Sequence, residues 1–241
     1  MYSMGLAIGD YDNDGDQDLF ITDIGEAVLL QNQLAQGEAV FVDVAAEAGV
    51  LVDDDGWGEY GWGAQFLDFD NDGWLDLYVN IGKIGAGPSQ PNCLFHNQGE
   101  GSFIKLDDAG GASDGRTSFG LALGDFDDDG WNDLLVGNRG DAYALFHNQG
   151  GGHHYLNIEL DAAGAPFNRD AIGTKITLVD DQGHTQMREL IAGSSTGAGS
   201  SLVLSFGFGE ALPVSAQVEW PDGTLREITN PPVDQTWRLN Y

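Results

Sequence analysis

Cysteine, positive charge and long apolar runs are all scarce in this chain of 241 residues. A single cysteine, Cys93, leaves no partner for an internal disulfide, so no compartment is written in cross-links. It stands just before Leu94-Phe95 and reads as a small buried hydrophobe rather than a reactive thiol. Lys and Arg number nine against 39 Asp and Glu, a net charge of −30. That excess excludes nucleic acid, whose phosphates require cationic side chains to displace their counterions, and an anionic membrane surface. No run approaches the ~18 apolar residues of a membrane span. The first nine residues, Met1 to Gly9, have no basic stretch and are too short for a signal peptide. Hydrophobic content of 41% with 36 glycines and seven prolines describes a turn-rich globular chain. Its length suits one large all-β domain or two modest ones.

What the chain has in abundance is aspartate, unevenly placed. Residues 157–241 carry 11 acidic and 5 basic side chains, against 28 and 4 in residues 1–156. Much of the acid lies in three nine-residue stretches with one spacing: Asp10, Asp12, Asp14 and Asp18; Asp68, Asp70, Asp72 and Asp76; Asp125, Asp127, Asp129 and Asp133. Carboxylates hold positions 1, 3, 5 and 9, and position 6 is Gly15, Gly73 or Gly130. Two unit charges ~4 Å apart at an effective dielectric of about 20 repel by roughly 4 kcal/mol, so such a loop folds only with a cation among its oxygens. All-oxygen ligands on an irregular turn favour Ca²⁺ over Mg²⁺, which holds to a stricter octahedron, and over zinc, which takes His or Cys. An EF-hand is excluded, because its closing Glu at position 12 is replaced by Ile21, Val79 and Val136. The residues after each loop, such as Leu19-Phe20-Ile21-Thr22, read as buried strands, so the loop joins two strands.

The loops begin at residues 10, 68 and 125, a nearly constant period with several short strands per unit. Leu29-Leu30-Gln31-Asn32-Gln33, Leu94-Phe95-His96-Asn97-Gln98 and Leu145-Phe146-His147-Asn148-Gln149 occupy the same place in each unit and form its third strand. Residues 37–44 and 99–106 supply a fourth strand to the first two units, the count of a propeller blade. The third unit has no such segment after Gln149. His96 and His147 fall where the first unit has Gln31, a position set by the architecture rather than by catalysis. The aromatic segment Trp57 to Trp62 is read as packing between neighbouring blades.

On these residues the chain resembles FG-GAP (VCBS) repeats, the blades of integrin-alpha-type β-propellers. A bulky residue and a glycine precede each loop at one offset: Met4-Gly5, Trp62-Gly63 and Phe119-Gly120. The Gly-Ala-Pro half of the family name survives only as Gly85-Ala86-Gly87-Pro88. The resemblance implies three Ca²⁺ sites, held by the aspartates at positions 1, 3, 5 and 9 with backbone carbonyls from Asp16, Trp74 and Trp131 at position 7. Asp128 has no ligand role in that scheme.

Glycines 150–152 mark a flexible connection, and acid density falls beyond it, which places a domain boundary near residue 152. Residues 153–241 read as seven short strands, at 155–160, 174–179, 185–191, 202–206, 214–220, 225–229 and 236–239. Turn signals such as Pro221-Asp222-Gly223 separate them, and the set suggests a small β-sandwich. Adjacent in a strand, His153 and His154 point to opposite faces. The stretches Asn168 to Gly173, Phe206-Gly207-Phe208-Gly209 and Val218 to Gly223 resemble the ASPIC/UnbV domain that follows FG-GAP repeats in the cartilage acidic protein family, with Phe208 where that family usually has Leu. The expectation is an all-β chain with a partial propeller over 1–152, its third blade incomplete, and a sandwich over 153–241.

No catalytic constellation emerges. Gly193-Ser194-Ser195-Thr196-Gly197 fits G-x-S-x-G on paper, but it runs on into a strand rather than a helix, and no histidine follows His184. The aspartates are committed to the loops, which leaves no candidate pair for glycoside hydrolysis. The function expected is a calcium-binding recognition or adhesion module outside the cytoplasm, taking a protein or carbohydrate partner, with an accessory or enzymatic role in an enediyne-like secondary-metabolite pathway as the alternative. Three blades do not close a ring of about four to eight. The expectation is therefore that upstream blades and an export signal are missing from the chain, and that residues 1–241 alone expose apolar ends and associate unless the sandwich caps one of them.

Overall fold

Around each acidic loop the alternating apolar runs fold as strands in the computed structural model of the protein, which describes residues 2–52, 59–83, 90–193, 195 and 199–241. In the first unit β1 (Ser3–Gly9), β2 (Asp18–Asp23), β3 (Val28–Asn32) and β4 (Phe41–Asp43) form a four-stranded meander in sequential order. A short helix, α1 (Ala45–Ala48), follows and buries Ala45 and Ala48. It ends at Gly49, whose φ of 79° is left-handed. A second meander joins β5 (Glu59–Leu67), β6 (Asp76–Lys83), β7 (Cys93–Asn97) and β8 (Phe103–Lys105). The third has β9 (Ser118–Gly124), β10 (Asp133–Asn138) and β11 (Ala144–Phe146), without a fourth strand, as the sequence anticipated.

Each meander packs face to face on the next. One cluster combines Ala7, Phe20 and Leu29 of the first with Phe66, Leu77 and Phe95 of the second, and α1 contributes to it. A second cluster joins Tyr78 and Leu94 to Leu121, Leu134 and Val136 of the third. Cys93 is buried in the first of these clusters, as a small hydrophobe would be. The loop-entry strands β1, β5 and β9 lie side by side, and their glycines explain how closely. A Cβ on Gly5 would stand 2.0 Å from the Trp62 carbonyl oxygen, and one on Gly63 2.7 Å from that of Phe119. The bulky residues before these glycines meet one another too, with the Trp62 and Phe119 rings 4.1 Å apart between the second and third sheets. Polar ties cross the same seams: Thr22 Oγ1 donates to the Trp62 carbonyl (2.7 Å) and Asn80 Nδ2 to that of Gly120 (2.8 Å). The three sheets are thus blades of a partial propeller. Gly85 to Pro88 and Trp57 lie outside the described residues.

Residues from 154 onward make two sheets about one core. β12 (His154–Asp161) lies between β15 (Val203–Gly209) and β18 (Gln235–Asn240), pairing antiparallel with the first and parallel with the second. The other sheet runs β14 (Thr185–Glu189), β13 (Lys175–Asp180), β16 (Pro213–Glu219) and β17 (Leu225–Thr229). Leu156, Ile158 and Phe206 of one sheet meet Ile176, Leu178 and Val218 of the other. All seven strands expected in this region are present, arranged as a small β-sandwich. It sits on the loop ends of the blades. Gly209 N donates to the Asn71 carbonyl (2.7 Å), Ser201 N to that of Leu123 (2.9 Å) and Ser195 N to that of Leu6 (3.0 Å).

Candidate metal centre

Each loop is built by its own carboxylates. The position 1 aspartate turns back on the loop and accepts two backbone bonds. Asp10 takes the N–H groups of Asp14 and Gly15 (3.0 and 3.2 Å), Asp68 those of Asp72 and Gly73 (3.0 and 2.9 Å), and Asp125 those of Asp129 and Gly130 (3.0 and 2.8 Å). Positions 4 and 6 take the left-handed backbone this turn needs, which Asn, Asp and Gly tolerate best. Asn13, Asn71 and Asp128 have φ of 56°, 54° and 59°, and the three position 6 glycines lie between 94° and 97°. The position 9 aspartate begins the second strand and is fixed there by the third. Asn32, Asn97 and Asn148 donate their backbone N–H to Asp18, Asp76 and Asp133, each at 2.8 Å.

Carboxylate oxygens from positions 1, 3 and 9 lie within 4.8 Å of one another in every loop: Asp10, Asp12 and Asp18; Asp68, Asp70 and Asp76; Asp125, Asp127 and Asp133. The fourth aspartate read from the sequence is less closely gathered. Asp14, Asp72 and Asp129 instead accept the N–H of position 7, from Asp16, Trp74 and Trp131, at 2.9–3.1 Å. Burial makes the arrangement costly without a cation. It pushes Asp10 and Asp68 up to about 7 and Asp18 to about 8, with neighbouring aspartates adding to the shift, and raises Asp12, Asp70, Asp76 and Asp125 in the same direction. Asp12 Oδ1 and Asp70 Oδ1 are buried with no hydrogen-bond partner. Converging hard oxygens, two of them lacking a proton donor, fit a divalent cation bound by oxygen, and calcium best.

The third-strand residue that the sequence assigns to architecture faces the loop. Gln31 Nε2 donates to Asp12 Oδ2 at 2.5 Å. In its place His96 brings Nε2 to 3.3 Å from Asp70 and 3.7 Å from Asp72, and His147 comes within 3.1 Å of Asp127 and 3.9 Å of Asp129. The Gln98 amide nitrogen lies 3.1 Å from His96 Nδ1. Both imidazoles thus stand beside the position 3 and position 5 carboxylates, and with them form groups whose ligand atoms lie within 4.8 Å of one another. The signal was present in the sequence as an amide or imidazole recurring two residues into each L-[LF]-[QH]-N run.

Neighbouring loops are also tied in series. Asn13 donates to the Gly73 carbonyl (3.1 Å) and Asn71 to that of Gly130 (3.3 Å), while Asn97 reaches back to Tyr11 (2.8 Å) and Asn148 to Phe69 (2.7 Å). The sandwich closes over them. His184 bonds Asn13 (2.9 Å) and lies on the Trp74 ring, while His153 meets the Asp70 carbonyl (2.6 Å). His154 turns instead to Asp234, so the adjacent pair does diverge. Arg188 of β14 is 7% exposed, with Nη1 on the Met187 carbonyl and Nη2 on Gln186, and Nε has no partner. It lines a cavity of about 130 Å³ with Asp10 and Asp68, and its charge opposes the rise of both. That volume is far below the ~300–1,000 Å³ of an ordinary small-molecule site. Of the expected G-x-S-x-G stretch, Gly193 and Ser195 are described, and the remainder lies outside the described residues.

Comparison with known proteins agrees with this construction. Residues 10–79 match the family described as FG-GAP-like repeat, and residues 164–241 match ASPIC and UnbV. The chain thus carries, in that order, one stretch similar to FG-GAP-like repeats and one similar to ASPIC and UnbV. Among curated relatives it is similar to cartilage acidic protein 1. It is 26% identical to the Mus musculus protein over 260 residues, which covers 100% of this chain and 37% of the relative. The Homo sapiens protein is 28% identical and the Xenopus tropicalis protein 30%, each over 66% of this chain and 24% and 25% of the relative. The chain thus spans between about a quarter and somewhat over a third of the length of these relatives.

Proposed function

We propose that this protein is a calcium-stiffened recognition module working outside the cytoplasm, with propeller blades over residues 1–152 and the sandwich over 153–241. In each loop the ion would be held by the four aspartates at positions 1, 3, 5 and 9 and by the position 7 carbonyls of Asp16, Trp74 and Trp131. The single observation that carries this reading is the same oxygen triad in three loops, with buried, unpartnered oxygens on Asp12 and Asp70.

The role assigned to the ion is structural. Sandwich residues lie directly over loops one and two, so calcium holds the platform on which the C-terminal unit rests, and the partner binds elsewhere. Extracellular placement suits such loops, since all-oxygen sites of extracellular modules bind at ~10⁻⁴–10⁻³ M and sites that weak stay empty at cytosolic calcium levels. The repeat family and the cartilage acidic protein relatives favour the same location. Among the described residues no helix is long and apolar enough to cross a membrane. A protein or carbohydrate is the partner class proposed. A glycan array and a pull-down from extracellular matrix extract, each with calcium and with EDTA, test it. Calcium-dependent retention of a defined partner is expected, and identical retention in EDTA would refute the role given to the metal.

A further inference from the structure

The two seams between blades are built from the same rows. In the first blade Ala7, Phe20 and Leu29 lie opposite one another across three strands, and in the second Gln65, Tyr78 and Leu94 do so. The next blade covers both rows: Phe20, Leu29 and Tyr78 are 0% exposed and Leu94 is 5%. The second loop residue belongs to the same face. Tyr11 is buried against Phe66 and Phe103 of the following blade, at ring distances of 6.1 and 5.6 Å.

In the third blade the row is Ala122, Leu135 and Leu145, in the same register, and the second loop residue is Phe126. Here Leu135 is 46% exposed, Leu145 53% and Phe126 55%. The sandwich rests on the loop ends and leaves this face open. The face that covers such a row is just as well defined. On the second blade it is Ala64, Phe66, Leu77, Val79 and Phe95 with Phe103 from the fourth strand, all buried. Their counterparts on the first blade are Leu6, Ile8, Leu19, Ile21 and Leu30 with Phe41, none of them buried. Leu6 is 39% exposed and Phe41 48%. Asn32 likewise holds only its own loop, through the Gln17 carbonyl, where Asn97 and Asn148 also reach the loop of the preceding blade.

We propose that the open row of the third blade receives the open face of the first blade of a second copy of this chain, head to tail. Phe126 then takes the place of Tyr11, lying on Ile8 and Phe41 of the other copy, and Asn32 gains the Phe126 carbonyl. Among the described residues one row and one covering face stand unpaired, and they are complementary by repeat equivalence. Such a contact is heterologous and finite only if it closes. Two copies supply six blades, within the range of about four to eight that propellers use. Two polar ties of the internal seams are absent from this one. Asp128 replaces the donor Asn13 or Asn71, and Gly137 replaces the donor Thr22 or Asn80. The contact is therefore apolar and reversible, and concentration governs it.

Sedimentation velocity on the whole chain in saturating calcium, over a wide concentration range, should show a monomer passing to a dimer. Leu145→Asp and Leu6→Asp alter exposed side chains and leave the separate cores untouched. Each should raise the dissociation constant by about tenfold or more. Phe126→Cys mixed with Phe41→Cys should give a disulfide-linked dimer on mild oxidation, and neither variant alone should do so. A monomer at every concentration would overturn the proposal and leave the open row to a blade outside this chain. A dimer indifferent to Leu145→Asp would overturn the face assigned to it.

Discussion

Asp70 shows how much one side chain carries. Its carboxylate joins the oxygen triad of the second loop and is approached by His96, and its carbonyl meets His153 of the sandwich. Asp70→Asn is expected to abolish that site and lower calcium stoichiometry by one in titration calorimetry, leaving loops one and three active. His96→Gln should preserve affinity, because Gln31 holds the equivalent place in the first loop and donates to Asp12 there, whereas His96→Ala should weaken the second site several-fold. The raised carboxylates also set a pH dependence. Asp10, Asp18 and Asp68 bind protons in the metal-free fold up to about pH 7–8 but release them near 3.8, the ordinary value of an aspartate, when unfolded. The folded state then holds more protons between about pH 4 and 8, so the metal-free protein loses stability as pH rises through that window. Melting midpoints in EDTA at pH 5 and pH 8 check the sign, and calcium should remove most of the difference.

At the scale of strands and loops, the glycine before each loop is a steric requirement of the seam. Gly63→Ala places a methyl group 2.7 Å from the Phe119 carbonyl oxygen, backbone against backbone. Loss of about 1–3 kcal/mol in denaturant melts is expected, since neither strand can yield without the blade. Arg188 provides the matching test for the sandwich. Its positive charge is buried beside Asp10 and Asp68, so Arg188→Met should destabilise the metal-free protein by about 3 kcal/mol and the calcium-loaded protein by less. Much at this scale was legible. The acid spacing located the loops, the run around Leu94 to Asn97 located the third strand, and the missing fourth strand of the last blade was visible as a gap after Gln149. Helix α1 escaped because four residues are too few to display a helical period, and its stop at Gly49 is a turn signal among many.

In the molecule as a whole, the loops lie beneath the sandwich, which spacing alone did not reveal. The contacts responsible join residues far apart in sequence, such as Asn13 with His184, Gln17 with Met187 and Asn157 with Asp125. Nothing local to His184 or Arg188 marks them as partners of an acidic turn in another region. The same distance hid the role of His96 and His147, since a residue recurring with the repeat reads equally well as scaffold or as a brace for a ligand. On the proposed reading, calcium in this setting would stabilise both the blades and the surface that supports the sandwich. With a Kd of about 0.1 mM and free calcium near ~1 mM, each site contributes roughly 1.4 kcal/mol, and three give about 4 kcal/mol. That is a large part of an ordinary domain's margin of about 5–15 kcal/mol. The most direct measurement is calcium titration calorimetry on chelator-stripped protein, followed by melting of the same sample with calcium and with EDTA. Three ions bound per chain and a clearly higher midpoint in calcium are the expected results. Absence of binding heat together with a midpoint indifferent to EDTA would contradict the assignment of the three loops as calcium sites.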